Sequence, residues 1–471
     1  MMYITYLFNI YCYICCHIYL YILETRLIIK LMKKRKLVVF LLSFLFVNSS
    51  IIAQLDKNKE KKEKKSEFTI DAELRTRGNI INGYKKLPTE SNYASYVVEQ
   101  RTRLGFGYKK DILEIKITFQ DARIWGDGNL NTATGAFGDS ASIDLKEGWA
   151  ALRLNDNLKL KIGRQGLQLD GGRLVAERNW SNPGLSYDAA VFKYKKNDFT
   201  LDVALSYSNT AFNLFAGEFD PNKMKSLNYI YLKKKFSKDL SLSVSSIFSG
   251  YQPEGSPQVI KFKTTVGSYI KYDNKKLFLK GEFYYQLGKT INSVDVAAYF
   301  FNAEAGYQMN KIYLGAGIDY MSGQDPNADI TEEFQAFDIL YGTRFKYYGN
   351  LNFLVTPKST KNGGMMNPFA KFSANFNKKN NLSIFYHMFQ TAQDVANTAN
   401  PGEFYDKNLG SEFDMIYTYK MAKGISVKAG YHIALPTETM EIFKGVEPGT
   451  CETPQWFWLM LSIKPTLFST K

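Results

Sequence analysis

Residues 68–77 read FTIDAELRTR, and the two sides of this stretch decide the fold. Phe68, Ile70, Ala72, Leu74 and Thr76 fall on one side, and Thr69, Asp71, Glu73, Arg75 and Arg77 on the other. Successive side chains of a strand point to opposite faces, so this is a strand with one apolar and one charged face. The alternation returns in residues 199–208, 279–288, 425–433 and 456–464. In the last of these, Phe457, Leu459, Leu461 and Ile463 oppose Trp456, Trp458, Met460, Ser462 and Lys464.

A soluble sandwich shows the same local pattern, so other features must decide. Many segments run about 9–12 residues, the length that crosses a bilayer at a tilt. The final segment ends at Phe468, close to the last residue. Tyr284-Tyr285, Tyr347-Tyr348 and 456–458 read as aromatics at strand ends, where a membrane interface places them. At about 22 residues per strand and connection, residues 68–471 predict an all-β, transmembrane antiparallel β-barrel of about 18 strands. Sixteen also satisfies the even-number rule. Residues 109–111, 155–157 and 196–198 are expected as short periplasmic turns. Residues 126–142, 211–225, 323–333, 392–410 and 436–454 are expected as extracellular loops.

Composition agrees. Aromatics make up 15% of the chain, with 32 Tyr and 34 Phe, which argues against intrinsic disorder. Three histidines, His17, His387 and His432, are too few for a multi-histidine metal site. No cofactor or metal is expected. The acidic loop Asp325-x-Asn327-x-Asp329 lacks the full twelve-residue calcium pattern and reads as a solvated turn.

Ahead of the strands, residues 32–53 form a basic start, an apolar run (LVVFLLSFLFV, 37–47) and a small residue, Ala53. This is the pattern of a secretory signal peptide cleaved after Ala53. Residues 1–31 then read as a mis-assigned start, and their Cys12, Cys15, Cys16 and His17 are not taken as a metal or haem site. Residues 54–67 form a charged periplasmic tail, and residues 68–471 the outer-membrane barrel. Removing 1–53 leaves 54 basic and 44 acidic residues, a net charge of about +10. An exported chain has no nucleic acid to meet, so that excess calls for another anion.

Arginine is unevenly placed. Beyond residue 53 there are ten, and nine precede residue 180. Arg75 and Arg77 share the polar face of one strand; Arg101 and Arg103 share that of the next, beside Glu99. Four guanidinium groups on one wall of a watery lumen form a filter for anions, because each presents a rigid fork that matches a carboxylate. The bland reading is that the arginines pair with Asp71, Glu73, Glu99, Asp121 and Glu147 to hold strands together, and the two readings can coexist. Arg123 and Arg164 fall on apolar parity, so each needs a bulge or a position above the lipid band.

Residues 161–190 read KIGRQGLQLDGGRLVAERNWSNPGLSYDAA. This segment resembles the Gly-Arg-Gln…Gly-Arg-Leu…Trp…Asp-Ala pattern of the alginate export family of outer-membrane proteins, in its Bacteroidota form. Tyr320-Met-Ser-Gly-Gln-Asp325, Phe337-Asp338, Leu340-Tyr341-Gly342 and Tyr348-Gly349 follow in the family's order. The resemblance implies an 18-stranded barrel whose arginine-lined constriction passes an anionic polyuronate. It implies motif roles for Arg164, Gln165, Gly172, Arg173, Trp180 and Asp188. The chain departs from the pattern at Leu185-Ser186, where a basic residue is expected, and at Phe345, where a histidine is common.

The expected lumenal, anion-selecting set is therefore Arg75, Arg77, Arg101, Arg103, Arg123, Arg164 and Arg173, with Glu73, Glu99 and Gln165. The expected function is an outer-membrane channel for anionic polysaccharide or oligosaccharide. Expected partners are that saccharide, outer-membrane lipid and periplasmic export or uptake proteins. The alternatives are a general diffusion porin and a plugged structural barrel. An enzyme is not expected, since neither His387 nor His432 lies in a nucleophile motif. Residues 54–67 are too few for the plug of an energy-coupled receptor.

Overall fold

The computed structural model describes residues 65–127 and 143–470. The expected segments 1–31 and 32–53, most of the 54–67 tail, and loop residues 128–142 lie outside the described residues. Eighteen antiparallel strands run up and down, each bonded to its sequence neighbours. The first strand, Glu67–Asn82, pairs with the second, Ser95–Lys110, and also with the eighteenth, Gln455–Ile463, so the sheet closes on itself. A short extension, Thr466–Ser469, follows Pro465 and continues the seam, with Ile70 opposite Phe468. Closure leaves no edge, so every strand's ladder is complete within the protein, as a membrane interior demands.

The faces follow the parity of the sequence. Leu459 is 52% exposed and faces lipid, whereas Trp458 is fully buried and faces the lumen. One end of the barrel has tight turns around residues 111–112, 197–198, 310–311 and 423–424, where Asp111, Asn197, Asn310 and Gly424 take positive φ. Asn, Asp and Gly tolerate that left-handed region best. The other end carries the long connections. Short turns are periplasmic and long loops extracellular in such barrels; the two ends are called the turn end and the loop end below.

The aromatic expectation needs correction. Trp456, Trp458 and Tyr284 are buried on the lumenal face, and Tyr347 and Tyr348 lie in a loop inside the barrel. They are not interfacial. Tyr285 and Phe457 of the expected set do face outward, as do Trp125, Tyr299 and Phe301, and Tyr320 stacks on both Tyr299 and Phe301.

The second departure concerns the lumen. Among the described residues two loops fold inward: residues 166–186, between the fifth and sixth strands, and residues 322–364, between the thirteenth (Ile312–Met321) and fourteenth (Met365–Asn375). They meet at a parallel bridge between Val175 and Tyr341. Tyr341 N donates to Leu174 O at 2.9 Å and Thr343 N to Gly172 O at 2.8 Å. Leu174, Val175, Ala176, Phe337, Ile339, Leu351 and Leu354 are buried there against wall residues such as Tyr229, Phe300 and Met365. The apolar core of this protein thus lies inside the barrel, where it takes loop side chains out of lumenal water.

Candidate functional site

The register of the first two strands sets Arg75 opposite Arg101, Glu73 opposite Arg103 and Arg77 opposite Glu99. Like charges directly opposite destabilise a strand pair, so the Arg75–Arg101 rung needs acceptors. Glu73 supplies one, accepting from Arg101 Nη2 at 2.6 Å, with Arg103 Nη1 at 3.6 Å and Lys464 Nζ at 3.3 Å. The others belong to the first inward loop: the Asn182 side-chain oxygen, 3.4 Å from Arg75 Nη2, and main-chain carbonyls. Arg75 donates to Asn179 O at 2.9 Å and Ser181 O at 3.1 Å. Arg101 Nη1 donates to the carbonyls of Asn179, Ser181 and Asn182 at 3.0–3.1 Å. Arg103 reaches Pro183 O at 3.2 Å and Lys146 reaches Leu185 O at 2.6 Å. Residues 179–185 are thus a strap, tied flat against the basic wall by its backbone.

Two cavities border the strap, and Trp180 lines both. The loop-end chamber is about 860 Å³. Arg77, Lys85, Arg178, Arg344, Lys358 and Lys444 line it, against a single carboxylate among the described residues, Glu99. The turn-end chamber is about 720 Å³ and reaches Lys423 and Gly424 in a tight turn. Arg75, Arg101, Arg103, Lys420, Lys428 and Lys464 also line it, and no described carboxylate does. Consecutive lumenal positions of one strand therefore serve different chambers, Arg77 above Trp180 and Arg75 below. Trp180 is held by Trp458 (4.9 Å between centroids), Phe345 (5.4 Å) and the Arg77 guanidinium over its ring (4.8 Å).

In the loop-end chamber, Arg77 Nε donates to Glu99 at 2.7 Å and Nη2 donates to the same oxygen. Its Nη1 is buried with no partner among the described residues, as is Arg344 Nε. Arg178 ties the strap to the second loop through Tyr341 O and Gly342 O. Burial and then repulsion from Arg344 push the Arg178 guanidinium below its usual value. Lys444 follows the short helix Glu438–Phe443 and donates to Phe353 O. Burial lowers its ammonium to about 8, because a low-dielectric setting disfavours charge. Lys444 is therefore charged at pH 7 and becomes neutral as pH rises through about 8. Any anion preference set at this chamber is expected to fall between pH 7 and 9, well before ordinary lysines titrate. Reversal potentials across that range check it; Lys444→Met should flatten the change, and an equal change in the variant would refute the assignment.

The expected site residues divide into three groups. Arg75, Arg77, Arg101 and Arg103, with Glu73 and Glu99, share the lumenal wall. Arg173 and Gln165 are buried but border neither chamber. Arg173 bonds Glu282 and Tyr348 at 3.0 and 2.9 Å, and Gln165 donates to Ala189 O at 2.9 Å. Arg123 and Arg164 are corrections: both lie on the outward face. Arg164 keeps the parity of lipid-facing Ile162 and forms a two-point pair with Asp188 at 2.9 and 3.0 Å. Arg123 Nε donates to Asp121 at 2.6 Å, beside exposed Trp125. An arginine at the bilayer midplane costs roughly 2–4 kcal/mol, so both sit at the loop ends of their strands, each with a carboxylate. Unforeseen were Lys420, Lys428 and Lys464, and the loop cations Arg178, Arg344 and Lys444. Parity alone places Lys428 and Lys464 on polar faces; for the loop cations the local sign is the apolar run of Leu167, Leu169, Leu174 and Val175 in the first inward loop.

A family model described as alginate export matches residues 67–441. No curated protein matches the chain. Among solved structures, Acinetobacter baumannii OccAB4 superposes with a TM-score of 0.52 at 14% identity, covering 87% of this chain and all of that one. Pseudomonas aeruginosa OpdQ gives 0.53 at 13% identity, over 87% of this chain and 100% of its own. The outer membrane protein opdK from Pseudomonas aeruginosa gives 0.52 at 11%, over 85% and 99%. At these identities the likeness is one of fold.

Proposed function

Because the chain belongs to the alginate export family, as an integral outer-membrane β-barrel, we propose that it is a channel for anionic saccharides of the polyuronate class. The observation that carries this reading is the pair of basic chambers meeting at Trp180. A polyanion entering either end meets fixed positive charge at once. Fixed charge in a narrow, low-dielectric passage raises the local concentration of counter-ions. The strap offers only neutral carbonyls to Arg75 and Arg101. A sugar carboxylate competes for these donors with a stronger, charge-assisted hydrogen bond. Periplasmic export or uptake proteins would meet the channel at its turn end. The inward loops favour one rival, a barrel closed to transport, and single-channel recording separates the two.

The decisive variant is Arg75→Ser with Arg101→Ser. It removes two charges from the turn-end chamber and the five contacts from these arginines to strap carbonyls. In a planar bilayer under a salt gradient, the parent protein is expected to prefer anions. The double variant should shift its reversal potential toward neutrality while its conductance rises, as the strap loosens. An unchanged reversal potential would defeat the proposal.

A further inference from the structure

We infer that the turn end of the barrel is a collar for anionic phospholipid headgroups of the periplasmic leaflet, held by lysine doublets set just beyond the lipid-facing aromatic residues. The inference stands apart from the channel reading, because it concerns the outer rim of the wall and not the lumen.

The doublets recur around the rim. Of the eight tight turns, five carry adjacent lysines at a strand end or in the turn itself: 109–110, 195–196, 234–235, 275–276 and 378–379. The described loops at the other end carry one such pair, Lys85-Lys86. Each of the five turns holds at most one carboxylate, and the turn at 376–379 holds none. Lysines one or two positions deeper in the wall are already matched. Lys193 pairs with Asp202 at 2.5 Å and Lys233 with Asp170 at 3.7 Å. Lys195, Lys196, Lys234, Lys235, Lys378 and Lys379 are exposed and form no ion pair among the described residues. The rim thus keeps a standing excess of positive charge.

The place of these lysines on the wall selects the partner. In the second strand the outward column runs Leu104, Phe106, Tyr108, Lys110 toward the turn end. In the sixth, Tyr187–Lys196, it runs Phe192, Tyr194, Lys196. In the eighth, Ser226–Lys235, it runs Ile230, Leu232, Lys234, with exposed Phe236 next. Apolar or aromatic and then cationic is the order in which a leaflet presents hydrocarbon, interface and phosphate. A lysine at that depth lays its apolar stem along the interface and puts its ammonium among the headgroups. At the loop end the sixth strand's column begins instead at Asp188, already paired with Arg164. An acidic protein or a peptidoglycan carboxylate would lie below the rim and leave the lipid-facing members of the doublets unused. A headgroup phosphate meets those members directly. A net-negative headgroup also answers the charge excess, which a zwitterionic one does not.

The test is native mass spectrometry of the folded, detergent-solubilised protein with phosphatidylglycerol and with phosphatidylethanolamine of the same acyl chains. Phosphatidylglycerol is expected to bind about fivefold more tightly, the size of one surface lysine–headgroup attraction. High salt should erode that preference. The combined variant Lys196→Gln, Lys234→Gln, Lys276→Gln and Lys378→Gln should abolish it, and Lys→Arg at the same four positions should keep it. Lys223→Gln with Lys407→Gln, both in loops of the other end, should leave it unchanged. All these side chains are exposed, so the barrel persists, and its heat-modifiable gel migration verifies that. Equal binding of the two lipids, or an undiminished preference in the fourfold glutamine variant, overturns the collar. Lysine-dependent binding of soluble peptidoglycan fragments without any lipid preference would assign the rim to the cell wall and overturn the lipid reading as well.

Discussion

Replacing Arg173 with methionine is expected to free the inward loops and raise single-channel conductance, the largest functional change that one substitution should produce here. Arg173 is carried by the first inward loop yet is buried against the opposite wall. Its Nε donates to Glu282 at 3.0 Å and its Nη2 lies 3.0 Å from Asp319. Its Nη1 donates to the Tyr348 hydroxyl at 2.9 Å, and its plane covers Tyr347 at 4.0 Å and Phe300 at 4.7 Å. Methionine preserves much of the volume but removes the charge. Asp319 and Glu282 then face each other with Lys280 as the remaining cation, 3.3 Å from Glu282. Removing one partner of a buried ion pair costs about 3–5 kcal/mol. The barrel wall has its own closed ladder, so this cost falls on the loop–wall contact. Larger, noisier current steps and faster proteolysis within residues 166–186 are the expected readouts. Parent-like conductance would show that Arg173 does not hold the loops.

The second large effect is expected from Gly342→Ala. A Cβ at this position would lie 1.6 Å from the Arg173 carbonyl oxygen and 2.4 Å from its carbon. Both are backbone atoms, so no rotamer change relieves the clash. The two loops must part, breaking the Val175–Tyr341 bridge and the Thr343 N to Gly172 O bond. Overpacking of this kind costs about 1–3 kcal/mol and sometimes more. Hydrogen exchange at the Tyr341 and Thr343 amides should rise sharply. Gly78→Ala is the control, since a Cβ there meets nothing within 4 Å. Equal exchange in the two variants would remove the steric argument.

The wall of this molecule was legible in its sequence, and the filling was not. Period two sorts residues 68–77 correctly between lipid and lumen, and it pairs Arg75 and Arg77 with Arg101 and Arg103 on the wall the register now displays. It also flags Arg123 and Arg164 as polar residues on apolar parity, and that signal outweighs their place in an arginine-rich third: both face outward. Trp456 and Trp458 mislead in the opposite sense. Aromatic residues near a strand end suggest an interface, but their parity is lumenal, and parity wins. The strap escapes notice because nothing in SNPGL announces burial. Most of its attachment uses peptide carbonyls, which every residue possesses, with side-chain bonds only from Asn179 and Asn182. The apolar run of Leu167, Leu169, Leu174 and Val175 was the available clue, since an extracellular loop has little reason to be so greasy.

That mode of attachment has a consequence for how the protein can change over generations. Five of the contacts that tie the strap to Arg75 and Arg101 end on main-chain oxygens. Mutations in the codons for residues 179, 181 and 182 exchange side chains while those oxygens stay in place. For those five contacts the heritable burden rests on the two arginines; Asn179 and Asn182 add side-chain bonds of their own, to Arg103, Gln100 and Arg123, so drift is freest at the strap's other exposed positions. A lineage can remodel the surface its cargo touches, one residue at a time, without first inventing a new way to hold it.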